Sequence, residues 1–201
     1  MSESAVGGLL FVLSGPSGVG KDAAIERLKA RNIDIYHVIT ATTRQRRPAE
    51  QHGVDYYFYS PDEFVDMLKR NELLESAVVA GNRYGTPRSE VRRQLDKGSD
   101  VLLKIDVQGA RQVKSRVPEA VFIFLAPPSI DDLVERLKQR NTETEQQIAE
   151  RMLTAYVEME AVDSYDYVVV NRHDELDLAV NQISCIICAE RCRVHRRTVI
   201  V

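Results

Sequence analysis

Gly15, Gly20 and Lys21 stand at the spacing GxxxxGK within GPSGVGKD, residues Gly15 to Asp22. Glycines at those places let consecutive main-chain N–H groups turn onto one anion. A lysine at that offset reaches the outer phosphates of a nucleoside triphosphate, so the stretch predicts ATP-type chemistry. Pro16, Ser17, Gly18 and Val19 complete the loop as candidate phosphate contacts. Asp22 stands where a Ser or Thr hydroxyl usually ligates magnesium, so a carboxylate is the candidate metal ligand. Positive charge recurs at Arg44, Arg46 and Arg47, at Arg136 and Arg140 four residues apart on one helical stripe, and at Arg151. On charge alone these arginines read first as solvated faces.

A phosphate loop needs a strand before it and a helix after it. Leu9 to Leu13 is a continuous apolar run suited to a central parallel strand, and Asp22 to Arg31 carries a helical pattern. Ile33 to Thr43 reads as a strand running out into the basic segment. Ser60, Pro61 and Glu63 form a capping box that opens a helix reaching about Asn71, and Leu73 to Val79 is an apolar run carrying Glu75. GNRYGTP, Gly81 to Pro87, reads as a turn whose Thr86 and Pro87 start another helix. Val101 to Val107 reads as a strand with Asp106 near its C-terminal end, where ligands gather in open parallel sheets. A helix over Gln108 to Arg116, a strand over Val121 to Ala126 and a helix capped by Ser129 with Asp132 follow. Asn141 to Gln147 is a polar stretch with a capping signal at Thr144, read as a lid. Tyr167 to Asn171 is the last core strand and Glu175 to Arg191 the final helix, packing Leu176, Leu178, Ile183 and Ile187. The alternation predicts an α/β fold, a parallel sheet flanked by helices and interrupted by an insertion.

With 201 residues, 44% hydrophobic and 28% charged, the chain reads as one domain. A net charge of -3 gives no general reason to bind nucleic acid or an anionic membrane. No apolar run approaches the ~18 residues of a membrane span, and Met1 to Gly8, read as a flexible lead, has no signal-peptide pattern, so a cytoplasmic protein is expected. Cys185, Cys188 and Cys192 repeat along one helical face, which predicts buried packing rather than a zinc site or a disulfide framework.

Several longer motifs together carry a family resemblance. They are the phosphate loop, TTRQRRPAEQHGVDYYF at Thr42 to Phe58, GNRYGTP, IDVQGA at Ile105 to Ala110, FLAPPS at Phe124 to Ser129 and RNTETEQQIAERM at Arg140 to Met152. Over about Leu9 to Glu190 the chain resembles the guanylate kinases. The resemblance implies a P-loop nucleoside monophosphate kinase fold, with a core over about 9–37 and 88–190, a mixed β/α GMP-binding arm over about 38–87 and a helical lid over about 138–154. It implies transfer of phosphate from ATP, with Mg²⁺, to GMP or dGMP. Arg44, Arg47, Tyr56 and Tyr84 are then expected on the GMP phosphate, Thr40, Glu75, Gly85 and Thr86 at the guanine, and Asp106 completing that site. Arg136, Arg140 and Arg151 are expected to line the lid, and Asn171 to lie near the adenine. Lys21, Arg44, Arg136 and Arg151 become the candidate electrostatic catalysts. Lys104 departs from the pattern, standing where an Asp or Glu is usual, as Asp22 does in the loop. Two other readings remain. A ribose bisphosphate phosphokinase-type enzyme shares the GKD ending, and a non-catalytic guanylate-kinase-like binding module shares the fold.

Overall fold

The computed structural model of the chain describes residues 7–79, 81–139 and 145–201, excepting the side chains of residues 136–139 and 145–151. In chain order, strand β1 (Leu10–Ser14) leads to helix α1 (Lys21–Ala30), then to strands β2 (Tyr36–His37), β3 (Ala41–Thr42) and β4 (Tyr57–Phe58). Helix α2 (Pro61–Lys69), strands β5 (Leu73–Val79) and β6 (Asn82–Pro87) and helix α3 (Arg88–Asp96) follow. Strand β7 (Val101–Lys104), helix α4 (Val107–Arg116), strand β8 (Val121–Ala126) and helix α5 (Ile130–Gln139) come next. Helix α6 (Glu145–Met159), a 3₁₀ turn (Glu160–Ser164), strand β9 (Tyr167–Val170) and helix α7 (Leu176–Arg191) close the order.

One sheet runs β2-β7-β1-β8-β9 with every neighbouring pair parallel. Parallel strands are buried on both faces, and β1 shows why its sequence is apolar without alternation. Leu9, Phe11 and Leu13 pack with Leu28 of α1 and with Val180, Ile183 and Ile187 of α7. Leu10 and Val12 face the other way, onto Val91 and Leu95 of α3 and Ala110 and Val113 of α4. Helices thus cover both sides, the architecture the strand–helix alternation predicts.

The second sheet, β4-β3-β6-β5, is mixed, with β3 parallel to β4 and antiparallel to β6, and β6 antiparallel to β5. Here the sequence reading needs correction. The single strand expected over Ile33 to Thr43 is two short strands in different sheets, because β2 pairs with β7 and β3 pairs with β6. GNRYGTP is no turn: its residues from Asn82 form β6, paired with β5, and α3 begins only at Arg88. The capping box stands as read, with the Ser60 hydroxyl accepting from the Glu63 N–H at 3.3 Å and the Glu63 carboxylate from the Ser60 N–H at 2.7 Å.

The C-terminal third brings further corrections. Cys185, Cys188 and Cys192 are all exposed, because α7 turns Ala179, Val180, Ile183 and Ile187 to the sheet and leaves the cysteine stripe on the far side. Leu178 is likewise exposed. Among the described residues no helix is long and apolar enough to cross a membrane, and no group of three or more His, Cys, Asp or Glu has the geometry of a metal site. The lead over 1–6, Arg140 and the polar stretch up to Thr144 lie outside the described residues.

Candidate active site

The phosphate loop takes its shape from glycines at left-handed backbone angles. Gly15 has φ 143°, and a Cβ there would come within 2.1 Å of the Leu125 carbonyl oxygen on β8, so no other residue fits without moving the sheet. Gly20, at φ 101°, ends the loop and starts α1, and the Lys21 ammonium donates to the Gly15 carbonyl at 2.6 Å and the Pro16 carbonyl at 3.0 Å. Burial lowers the pKa of Lys21, against the pull of Glu158, Asp22 and Asp106. The buried Asn171 donates its amide N–H to the Val19 carbonyl at 2.7 Å, so this residue braces the loop itself.

Across the C-terminal edge of the parallel sheet lies a cavity of about 220 Å³. Thr40, Tyr56, Glu75, Tyr84 and Asp106 line it together with Lys21, Asp22 and Lys104. Residues from the loop, from both sheets and from the start of α4 therefore converge, as the motifs required. The strand read over Val101 to Val107 ends at Lys104, and Asp106 is instead the N-cap of α4, accepting the Gly109 N–H at 2.7 Å. A second cavity, about 280 Å³, lined by Ala110, Arg111, Lys114, Phe122 and Tyr165 among others, contains none of the expected site residues.

Glu75 is the most unusual group in the cavity. It is 3% exposed, and one carboxyl oxygen accepts from the Thr86 hydroxyl at 2.7 Å. Burial pushes its pKa up to about 7, with the neighbouring Asp106 adding to the rise and Thr86 opposing it. A buried carboxyl shifted in this way, in a cleft, makes Glu75 a candidate for holding a ligand. Its other oxygen lies against Gly109, where a Cβ would come within 2.5 Å. Gly109 thus lets the carboxyl approach α4, a role invisible in sequence because the two residues are far apart in the chain.

The basic arm segment is held by its own carboxylate. Arg44 pairs with Glu50 at 2.6 Å, and its guanidinium lies 5.4 Å from the Tyr56 ring centroid. The hydrogen bond to Glu50 raises the Arg44 pKa, so the charge is permanent. Tyr84 meets Tyr56 edge to face, with centroids 6.1 Å apart. Arg47 is exposed, and its main-chain N–H donates to Glu50 at 2.9 Å. Gly85 is buried on β6, where a Cβ would meet the Glu75 main-chain oxygen at 3.0 Å. Arg136 falls on α5 and Arg151 on α6, but their side chains, like Arg140 as a whole, lie outside the described residues.

Sequence reasoning missed two contacts of this site besides Gly109. Glu50 holds Arg44, and Glu158 of α6 accepts the Ser17 N–H of the phosphate loop at 3.2 Å, with burial raising its pKa. Glu50 lies within the motif from Thr42 to Phe58 without an expected role there, and Glu158 lies in none of the motifs.

Comparison with known proteins agrees with this geometry. The family model described as guanylate kinase matches residues 8–190. A guanylate kinase of Desulfitobacterium hafniense is 49% identical over 190 residues, covering 94% of either chain. One of Clostridium tetani is 49% identical over 189 residues, covering 94% of this chain and 89% of the relative. The crystal structure of a guanylate kinase from Anaplasma phagocytophilum superposes with a TM-score of 0.76 at 34% identity, over 94% of this chain and 89% of that one.

Proposed function

The chain belongs to the guanylate kinase family and is an ATP:GMP phosphotransferase with a P-loop nucleoside monophosphate kinase fold, and we propose the following division of labour among its residues. The loop from Gly15 to Gly20 holds the ATP phosphates on its main-chain N–H groups, and Lys21 exchanges its loop carbonyls for the outer phosphates. Arg44 and Arg47 grip the phosphate of GMP, with the hydroxyls of Tyr56 and Tyr84 donating further bonds without adding charge. Glu75, steadied by Thr86, accepts the N1–H and N2–H₂ donors of guanine, and Thr40, Gly85 and Asp106 complete that end. Adenine presents no such donor pair, so the carboxylate selects the base.

Asp22, in the first turn of α1 beside Lys21 on the shared cavity, would supply a hard carboxylate oxygen to magnesium, and the same carboxylate also meets the Lys104 ammonium. When bound, the metal neutralises charge on the ATP oxygens. The attacking oxygen of GMP is already ionised, so the chain supplies no general base. Its task is to place positive charge beforehand where negative charge spreads over the moving phosphoryl group, through Lys21 and Arg44 and through Arg136, Arg140 and Arg151 of the lid. Deoxyguanosine monophosphate presents the same base and phosphate and serves as a second acceptor. ATP and GMP are cytoplasmic metabolites, and the enzyme is taken to work there in purine nucleotide recycling.

The buried, Thr86-bonded Glu75 in the cavity shared with Lys21 carries this reading. Steady-state kinetics of Glu75→Gln test it. Losing one charge-assisted acceptor is expected to cost GMP about 10- to 100-fold in kcat/KM with little change in KM for ATP. Equal losses for both substrates would remove Glu75 from the guanine site.

A further inference from the structure

Asp22 and Lys104 lie 82 positions apart in the chain, yet the Lys104 ammonium donates to the Asp22 carboxylate. The Asp22 side chain is 79% exposed and that of Lys104 32%. An ion pair this open contributes little to stability, so what matters is where it stands.

That placement is specific. β7 ends at Lys104, in register with Leu13 on β1, so the side chain leaves the parallel sheet at its C-terminal edge, beside the strand that feeds the phosphate loop. Its ammonium shares one cavity with Lys21 on the loop and Tyr56 on the arm. A free lysine is a flexible point charge, and the contact with Asp22 holds this one in place before substrate arrives. The seam between loop and arm is where the two substrates' phosphates must meet.

We propose that Lys104 is a further catalytic residue of the phosphoryl transfer, contacting the phosphates at that seam, and that Asp22 is its positioning residue. The inference rests on the GMP kinase reading. In the step itself a phosphate oxygen of GMP forms a bond to the γ-phosphorus of ATP, while the bond to the bridging oxygen breaks and its electron pair leaves on ADP. Lys104 keeps its three protons throughout and acts by charge and hydrogen bonding alone.

The alternative role, neutralising Asp22 and nothing more, predicts different double-mutant behaviour. Lys104→Met is expected to lower kcat about 100-fold with an unchanged melting midpoint, the scale for loss of one preorganised donor. Lys104→Arg should regain at least about tenfold of that, and Asp22→Ser combined with Lys104→Met should stay as slow as Lys104→Met. In EDTA, an adenosine–guanosine pentaphosphate spanning both sites should bind Lys104→Met about tenfold more weakly, with ATP and GMP separately little affected. A double variant restored to wild-type kcat, or an undiminished kcat in Lys104→Met, overturns the inference while leaving the kinase reading intact. A wild type that turns over no GMP removes both. Should Lys104→Met fold poorly, Lys104→Gln read against Lys104→Arg gives the same comparison.

Discussion

The proposed guanine site turns on Glu75, because its burial sets its charge. An unfolded glutamate ionises near 4.5, and in the fold Glu75 does so near 7. The fold therefore favours the neutral form, a preference fully present below 4.5 and lost as pH rises through 7. Guanine needs the opposite form, since only the carboxylate accepts both of its donors. KM for GMP is thus expected to fall between pH 6 and 8, over and above any change due to the GMP phosphate, and Glu75→Gln should abolish that added dependence. A pH profile shared by wild type and Glu75→Gln would assign the whole effect to the substrate. The motif around Glu75 was legible in the sequence. Its depth was not, because Thr86 of β6 and Asp106 and Gly109 at the start of α4 press on it from two other segments.

At the level of elements, the strand that carries Glu75 is held by a helix. β5 is the edge of its sheet, and an open edge leaves main-chain groups unpaired. Gln112 of α4 closes this one as another strand would, accepting the Ser76 N–H at 3.1 Å and donating to the Ser76 carbonyl at 2.7 Å. Arg116, one turn on, donates to the Leu73 carbonyl at 3.1 Å. Gln112→Ala is expected to raise KM for GMP several-fold while KM for ATP stays put, since it loosens the strand carrying Glu75 and leaves the loop alone; parallel changes in both would contradict this. Elements with local signals were readable in advance: the capping box of α2, the seven-residue run of β5 and the apolar run of β8. Those defined by distant partners were not. In β6 the Gly and Pro of GNRYGTP signal a turn, and only pairing with β5 and β3 makes them a strand.

For the whole molecule, the C-terminal segment ties the two ends of the sheet's support together. Glu190 on α7 is 1% exposed, accepts from the Tyr167 hydroxyl at 2.6 Å, and is paired with Arg193 and Arg197 at 3.3 Å each. Arg197 also donates to the Ala120 carbonyl at 3.2 Å, and Arg92 of α3 to the main-chain oxygen of Val201 at 2.8 Å, with Val199 and Val201 packed on the core. The sequence offered no account of this tail, because its partners are scattered over α3, α7 and the residue that precedes β8. Arg197→Ala leaves a buried carboxylate short of one partner, at a cost on the order of 2 kcal/mol, below the ~3–5 of a fully broken buried pair. That corresponds to a Tm lower by roughly 4–8 °C, with both KM values unchanged. A shifted KM would place the tail in the active site instead of the scaffold. The exposed cysteine face of α7 teaches the same lesson, since helical spacing names a face but not which side meets the sheet.

The most direct measurement is ADP release from ATP and magnesium with GMP, dGMP, AMP, UMP and ribose 1,5-bisphosphate offered in parallel. The buried carboxyl of Glu75, in the cavity it shares with Lys21, Tyr56 and Tyr84, predicts turnover with GMP and dGMP alone. Turnover of the sugar bisphosphate, or silence with every acceptor, would contradict it.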